Sequence, residues 1–228
     1  MNKVTGFINL FKQLAKDRGP VTRAASPDDF AQAIGAASPQ MKGPFQVGDF
    51  LTQYTPAEYA QMQTFLNKDK TAGYALKRIL DEAGTPTGGK ELVSVFNVGP
   101  GGRGAEMAAE SVLRGARQLD NYSVQDVLPK LYGKAGFQET SRFPFDPQYA
   151  QGVSPALLKA APDYVAMNVP QNVVDDLLRT RFLNTKEYLD YVQTGRIPLT
   201  KQKDVQNAIA LLGMGGGAAA TTGLLSQD

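Results

Sequence analysis

The 228-residue sequence predicts an α/β (α+β) fold, in which a twisted mixed sheet is flanked by helices and helical extensions lie at both ends. Two observations support this prediction. The β-branched and aromatic run at 91–98 is typical of a buried strand. A glycine-rich turn joins that run to an amphipathic helical pattern, and further runs of both kinds alternate up to residue 169.

The composition excludes several classes of chemistry. Histidine, cysteine and tryptophan each number 0, so a Ser-His-Asp triad, a Cys-His nucleophile pair and a zinc site of thiolates or imidazoles cannot form. We expect no metal site. Lysine plus arginine number 24 and aspartate plus glutamate 22, and this balance does not predict nucleic-acid binding. Basic and aromatic residues are also not interleaved in any cluster.

Residues 1–44 are predicted to form an amino-terminal amphipathic helix and a linker. Apolar residues recur at helical spacing from Val4 to Leu14, and Gly19-Pro20 ends the pattern. This helix packs on the protein's own core or on a partner, or it lies on a membrane surface. Ser26-Pro27, followed by two aspartates, is a helix-start signal, so a short helix through Phe30 is expected before the linker.

Residues 45–169 are predicted to form the main domain. Thr55-Pro56 repeats the helix-start signal, and the apolar face of that helix is expected to extend to Leu66. The elements expected next are, in order, a strand at 72–77, a helical turn at 78–83, a turn-rich loop at 84–89 and the buried strand at 91–98.

The most informative segment runs from Gly99 to Gly104, between the strand at 91–98 and a helix. Such a turn can bind phosphate, because glycine lets the backbone approach an anion and the helix start offers free N–H groups. The turn lacks the GK[ST] of a P-loop and does not match the dinucleotide-binding fingerprint. Phosphate binding and an ordinary packing turn both stay open on this signal.

The helix after the turn is expected to end at Asp120-Asn121. Gly136 is expected to cap the next helix. The elements expected from residue 118 onwards are, in order, a short strand at 118–123, a helix around 127–132, a strand at 138–145, a loop at 146–162 and a last strand at 163–169.

Residues 170–228 are predicted to form a helical carboxyl-terminal extension, with helices at 172–183, at 185–193 and from near Lys201. No charged residue lies between Val205 and Gln227, a segment long enough to span a bilayer. Its Gly and Ala residues include small-xxx-small spacing, which suits helix packing in membranes. The glycine triplet at 215–217 favours a flexible or packing tail instead.

The order of elements at 91–169 resembles that of the GNAT superfamily, the Gcn5-related N-acetyltransferases. The resemblance rests on the strand at 91–98 with its glycine-rich turn and helix. It rests also on the run from Leu131 to Phe137, which reads L-Y-G-K-A-G-F and is close to the family's L-Y-x-K-x-G-F. The strands at 138–145 and 164–167 complete a match that covers about a third of the chain.

The resemblance implies an acyl-CoA dependent N-acyltransferase, with acetyl-CoA as the cofactor and an acceptor that the sequence does not name. In that family the turn binds the pyrophosphate, and the two glycine positions fall on Gly102 and Gly104, with Arg103 between them. The pantetheine arm is expected to pair with the backbone near Phe96–Val98.

Tyr132 matches the family's tyrosine that often protonates the departing thiolate. A phenol suits that role, because its pKa of about 10 is close to that of a thiol. A core aromatic on an amphipathic helix is the alternative for this residue. Glu91, Glu106 and Glu110 are candidates for a general base only because they are carboxylates near the region.

One departure from the family pattern supports a second function. Gly99 stands where Gln or Arg is expected, which is consistent with a GNAT-like domain that has lost catalysis. Such a protein would serve as a structural component, for example of a phage virion or its ejection apparatus. Its terminal helices would bind protein partners, form a homo-oligomer or contact a membrane. We expect the cytoplasm as the location of the enzyme and the virion as that of the structural protein.

Overall fold

The computed structural model describes residues 21–99, 103–149 and 153–180. The strands in these residues are β1 (Arg23–Ala24), β2 (Met41–Lys42), β3 (Phe45–Gln46), β4 (Gln63–Leu66), β5 (Ala72–Leu80), β6 (Pro86–Asn97), β7 (Ala116–Tyr122), β8 (Gln138–Phe143) and β9 (Tyr164–Asn168). The helices are α1 (Pro27–Ala37), α2 (Pro56–Tyr59), α3 (Gly104–Leu113), α4 (Val127–Lys134), α5 (Pro155–Ala160) and α6 (Gln171–Thr180).

Seven of these strands form one sheet in the order β1-β4-β5-β6-β7-β9-β8, and β2 and β3 form a separate ribbon. β6 and β7 run parallel, with α3 in the connection between them. The pairs β1–β4, β4–β5, β7–β9 and β8–β9 are antiparallel. The predicted α/β (α+β) class, a mixed sheet flanked by helices, is therefore confirmed.

The chain divides into two compact units. The first contains described residues 21–79 and 89–170, and every site residue discussed below lies in it. The second contains residues 80–88 and α6. At 80–88 a tight turn forms, in which the backbone N–H of Asp81 donates to the carbonyl of Thr85.

The first helix forms as its start signal predicts. The Ser26 hydroxyl accepts a hydrogen bond from the Asp29 N–H at 3.1 Å, and Pro27 takes the first helical position. Phe30 is fully buried, and its ring meets those of Tyr59 and Phe96 edge-on, with centroids 4.9 and 5.9 Å apart. Both β1 and α1 precede residue 45, where the main domain was expected to begin. However, β1 is a strand of the main sheet, and α1 contributes to the core of the same domain.

Two segments, one before β4 and one between β5 and β6, differ from the prediction. The helix at Thr55 starts with a capping box but ends at Tyr59, and Gln63–Leu66 is β4. Sheet pairing on both sides with β1 and β5 overrides the helical spacing of its apolar residues. The helical turn expected at 78–83 is wrong too, because β5 continues to Leu80 and β6 begins at Pro86, inside the expected loop.

Two further differences lie nearer the carboxyl end. α3 ends at Leu113 rather than at Asp120, because Gly115 takes a φ of +102° and the chain turns back into β7. The loop expected at 146–162 contains α5, which Ser154 caps by accepting from the Leu157 N–H. The start of α3, together with α4, β8, β9 and α6, agrees with the prediction within a few residues.

The predicted amino-terminal helix at 4–18, the helices beyond 180 and the uncharged segment at 205–227 lie outside the described residues. Within the described ranges, every helix is too short or too polar to cross a bilayer. The same ranges contain no group of three or more acidic side chains placed to hold a metal ion.

Candidate active site

The parallel strands β6 and β7 separate soon after they meet. Their register pairs Lys90 with Ala116 and Glu91 with Gln118, with an irregularity between the two pairs. In the described residues the pairing stops there, although β6 continues to Asn97 and β7 to Tyr122. An opening therefore lies between the carboxyl-terminal halves of two neighbouring strands.

Hydrogen bonds on the far side of β7 show which of its backbone groups face this opening. The carbonyl of Arg117 accepts from Val169, and the N–H of Ser123 donates to Asp163, so both residues face β9. Backbone groups alternate sides along a strand. The N–H and C=O groups of Asp120 and Tyr122 therefore face the opening.

A bulge at Ser94 sets the corresponding edge of β6. Ser94 has a φ of +53°, which in a non-glycine strand residue marks a bulge that changes the side its neighbours face. Before the bulge, Lys90 donates its N–H toward β7, to Gly115; after it, Val98 donates toward β5, to Thr71 at 2.8 Å. Beyond the bulge, the backbone groups that face the opening are therefore those of Val95 and Asn97.

Phe96 and Val98, at which pantetheine contacts were expected, therefore direct their backbone groups away from the opening, toward β5. The Val98 N–H is already donated to Thr71. Phe96 is 2% exposed, and its ring belongs to the core. The carboxyl-terminal half of the strand was predicted, but its sequence alone gives no sign that the bulge changes which residues face the opening.

The glycine-rich turn leads to the amino terminus of α3, directly after β6. Gly102 lies outside the described residues, Arg103 is the N-cap residue and Gly104 is the first residue of α3. A Cβ on Gly104 would lie 3.0 Å from the Leu131 side chain, so this glycine allows α3 to pack closely on α4. This contact explains one glycine of the turn by packing, independently of any ligand.

Arg103 supplies an unsatisfied donor at the same helix terminus. Its Nε donates to the Glu106 carboxylate at 2.5 Å, whereas its Nη2 is buried and has no hydrogen-bond partner among the described residues. A buried guanidinium N–H beside the free amides of a first helical turn is suited to an anionic oxygen.

Tyr132 lies on the buried face of α4. Its side chain is 6% exposed, and its ring meets that of Phe137 edge-on with centroids 6.1 Å apart. Burial, followed by the negative charge of Asp120, raises the pKa of the Tyr132 phenol well above its usual value. The phenol therefore stays protonated at neutral pH. Its hydroxyl has no hydrogen bond to another described residue.

The structure separates the three candidate bases. Glu110 accepts hydrogen bonds from the Thr22 N–H and hydroxyl and pairs with Arg114 at 2.9 Å, so it is part of a structural network. Glu106 pairs with Arg103. The side-chain carboxylate of Glu91 forms no hydrogen bond or ion pair with any other described residue, so it is available to a ligand.

Glu91 lies in the last pair before β6 and β7 separate, at the closed end of the opening. Burial, and next the charge of Asp120, raises the pKa of its carboxyl group. The Asp120 carboxylate in turn accepts a hydrogen bond from the Tyr164 hydroxyl. The rings of Tyr164 and Tyr122 meet with centroids 6.0 Å apart.

Asp120 falls within the short strand that the sequence predicts at 118–123, but no motif connected its carboxylate or the tyrosines around it with a site. The pKa of Tyr54 is raised by burial first and then by Glu91 and Asp120, so this third tyrosine lies near the same two carboxylates.

Solved structures similar in fold include several acetyltransferases. One of the GNAT family from Streptococcus pneumoniae is 16% identical with a TM-score of 0.44, over 64% of this chain and 96% of that chain. The ribosomal-protein-alanine N-acetyltransferase from Brucella melitensis is 14% identical with a TM-score of 0.42, over 64% and 96%. A Bacillus subtilis acetyltransferase in complex with CoA is 13% identical with a TM-score of 0.39, over 64% and 95%. No family model and no curated protein matches the sequence.

Proposed function

We propose that the protein binds an acyl-CoA in the opening between β6 and β7 and transfers the acyl group to an amine. The observation that carries the proposal is the parallel pair that stops at Glu91 and Gln118 while both strands continue. Unpaired strand edges on both sides can bind the amides of an extended arm, as an added strand would. The start of α3 lies where the anionic end of such a ligand needs positive partial charge.

The residues present fit this cofactor. The buried Nη2 of Arg103, which has no partner in the described part of the chain, and the first-turn amides of α3 would bind the pyrophosphate. The edge groups of Val95 and Asn97 would bind the pantetheine arm. When bound, the thioester supplies an activated acyl group, so the protein needs neither histidine nor cysteine for the transfer.

Glu91 and Tyr132 would move the protons. Glu91 accepts a proton from the ammonium form of the acceptor, and its raised pKa makes the carboxylate a stronger base than an exposed one. Tyr132 holds a proton on its phenol at neutral pH and would give it to the thiol of the leaving group, and the second proton that the amine nitrogen loses as the amide forms would restore the phenol. The protein's main contribution is to hold the amine close to the acyl carbon, with the Glu91 carboxylate and the Tyr132 phenol nearby.

Titration calorimetry with acetyl-CoA, combined with thiol release from acetyl-CoA in the presence of primary amines such as spermidine and benzylamine, tests the proposal. We expect wild type to bind the cofactor and release thiol. Tyr132→Phe and Glu91→Gln should keep the binding and lose turnover by roughly 100-fold or more, the usual effect of removing a proton-transfer group. Glu82→Gln, a change at an exposed carboxylate in the turn at 80–88, is the matched control. Absence of binding at millimolar acetyl-CoA would reject the proposal.

One observation favours the second candidate, a GNAT-like protein without catalysis that serves in assembly, for example in a phage virion. A Cβ on Gly99 would lie only 2.6 Å from the Thr71 hydroxyl, so the Gln or Arg of the family pattern does not fit there without movement. Under this second hypothesis, the terminal segments would bind protein partners, a second copy of the chain or a membrane. Deleting residues 205–228 should then abolish self-association or liposome binding, measured by sedimentation, and unchanged sedimentation would count against it.

A further inference from the structure

Only two buried side-chain polar atoms in the described residues lack a hydrogen-bond partner, Arg103 Nη2 and Asn121 Oδ1. A buried acceptor without a donor destabilises a protein, and native structures contain few of them. Asn121 is 9% exposed, so bulk water does not readily satisfy it. This side chain therefore needs an explanation beyond folding.

Asn121 lies on the part of β7 that borders the opening. Its own backbone is paired with Val165 of β9, and its Nδ2 makes a long contact of 3.4 Å with the Val165 carbonyl. The residues on either side of it, Asp120 and Tyr122, are those whose backbone groups face the opening. Asn121 lies on the same side of β7 as Leu119, both are buried, and α4 packs against this strand.

The two unsatisfied atoms differ in chemistry. Arg103 offers a donor at the start of α3, where a phosphate oxygen would accept it. Asn121 offers an acceptor beside the strand edge, and an acceptor in a buried site needs an N–H or O–H donor. The arm of coenzyme A carries two amide N–H groups between its pyrophosphate and its thiol, so one ligand can satisfy both atoms.

We propose that Asn121 is a cofactor-binding residue, whose Oδ1 accepts a hydrogen bond from an amide N–H of the pantetheine arm. The edge groups of Asp120 and Tyr122 supply the backbone part of the same contact, opposite the β6 edge. This inference rests on the proposed acyl-CoA function and assigns a residue that no sequence motif in the chain indicates.

The test is Asn121→Leu, which keeps the side-chain volume and removes the acceptor. Affinity for coenzyme A should fall about tenfold, the loss of one buried hydrogen bond. Affinity for adenosine 3′,5′-bisphosphate, which lacks the arm, should stay the same. The melting temperature without ligand should rise, because the variant no longer buries an unsatisfied acceptor. A merely structural asparagine would not produce this combination.

Thr64→Val is the matched control. Thr64 is also a buried polar strand residue, but its hydroxyl donates to the Ala25 carbonyl at 2.8 Å, so its hydrogen bond is satisfied. We expect this change to lower the melting temperature and leave coenzyme A affinity unchanged.

The outcomes separate this inference from the proposed function. If wild type binds neither coenzyme A nor the bisphosphate, both are overturned. If wild type binds coenzyme A and Asn121→Leu binds it equally well, only the role of Asn121 is overturned. A lower melting temperature together with equal losses for both ligands would show that Asn121 supports the fold and does not contact the arm.

Discussion

Gly99→Ala tests whether the start of the glycine-rich turn is fixed by Thr71. The added Cβ would lie 2.6 Å from Thr71 Oγ1 and 3.3 Å from Thr71 Cβ, where ordinary contacts begin at 3.4 Å. Thr71 cannot move freely, because its N–H and hydroxyl are bonded to Asn67 and its carbonyl accepts from Val98. Overpacking of this kind costs about 1–3 kcal/mol. The entropy that alanine removes from the unfolded chain offsets about 0.4–1 kcal/mol of this, leaving a net loss of about 1–2 kcal/mol.

Urea unfolding of a double-mutant cycle measures this effect. Thr71→Ala alone should destabilise by about 1 kcal/mol through its lost hydrogen bond. In the double variant most of the Gly99→Ala cost should disappear, because the clashing hydroxyl is gone, which gives a coupling energy of about 1 kcal/mol. Changes that add within about 0.3–0.5 kcal/mol would refute a direct clash.

Three further predictions concern an ion pair, the candidate base and a helix end. Arg114→Met leaves the partly buried Glu110 carboxylate without its cation and should cost about 1–3 kcal/mol in urea unfolding. Glu91→Gln should raise the free energy of unfolding at neutral pH, because a carboxyl group whose pKa is raised by folding destabilises the protein above that pKa. The gain in stability should vanish below about pH 4, where the carboxyl group is protonated in both states. A gain that does not depend on pH would contradict this. Ala161→Gly relieves a φ of +40° at the end of α5 and should stabilise by about 1 kcal/mol, seen as a higher melting temperature.

Helix starts were predictable from the sequence, whereas several ends were not. The pairs Ser26-Pro27 and Thr55-Pro56 carry local chemistry, a side-chain acceptor and a proline that has no N–H to satisfy, and both start helices. The end of the second helix depends on strands that are distant in sequence. Gln63–Leu66 pairs with both β1 and β5, and no local pattern reveals that pairing.

In the candidate site too, features that depend on short motifs were predictable from the sequence, and features that depend on distant pairing were not. The strand, the turn, the start of α3 and Tyr132 follow from short-range motifs, and the structure brings these elements to one end of the sheet. Asp120 and Asn121 could not be found, because their roles depend on pairing with β9; the contact from Asn121 to Val165 spans 44 residues. The edge groups of β6 depend on the bulge at Ser94, where a common polar residue takes an uncommon φ.

Amide hydrogen exchange with and without coenzyme A tests the proposed binding site most directly. We expect the cofactor to slow exchange in the first turn of α3 (104–106) and at the edge amides of Val95, Asn97, Asp120 and Tyr122. The amides of β4 and β5 should be unaffected. Unchanged exchange at saturating coenzyme A, or protection confined to residues away from the β6–β7 opening, would contradict the account.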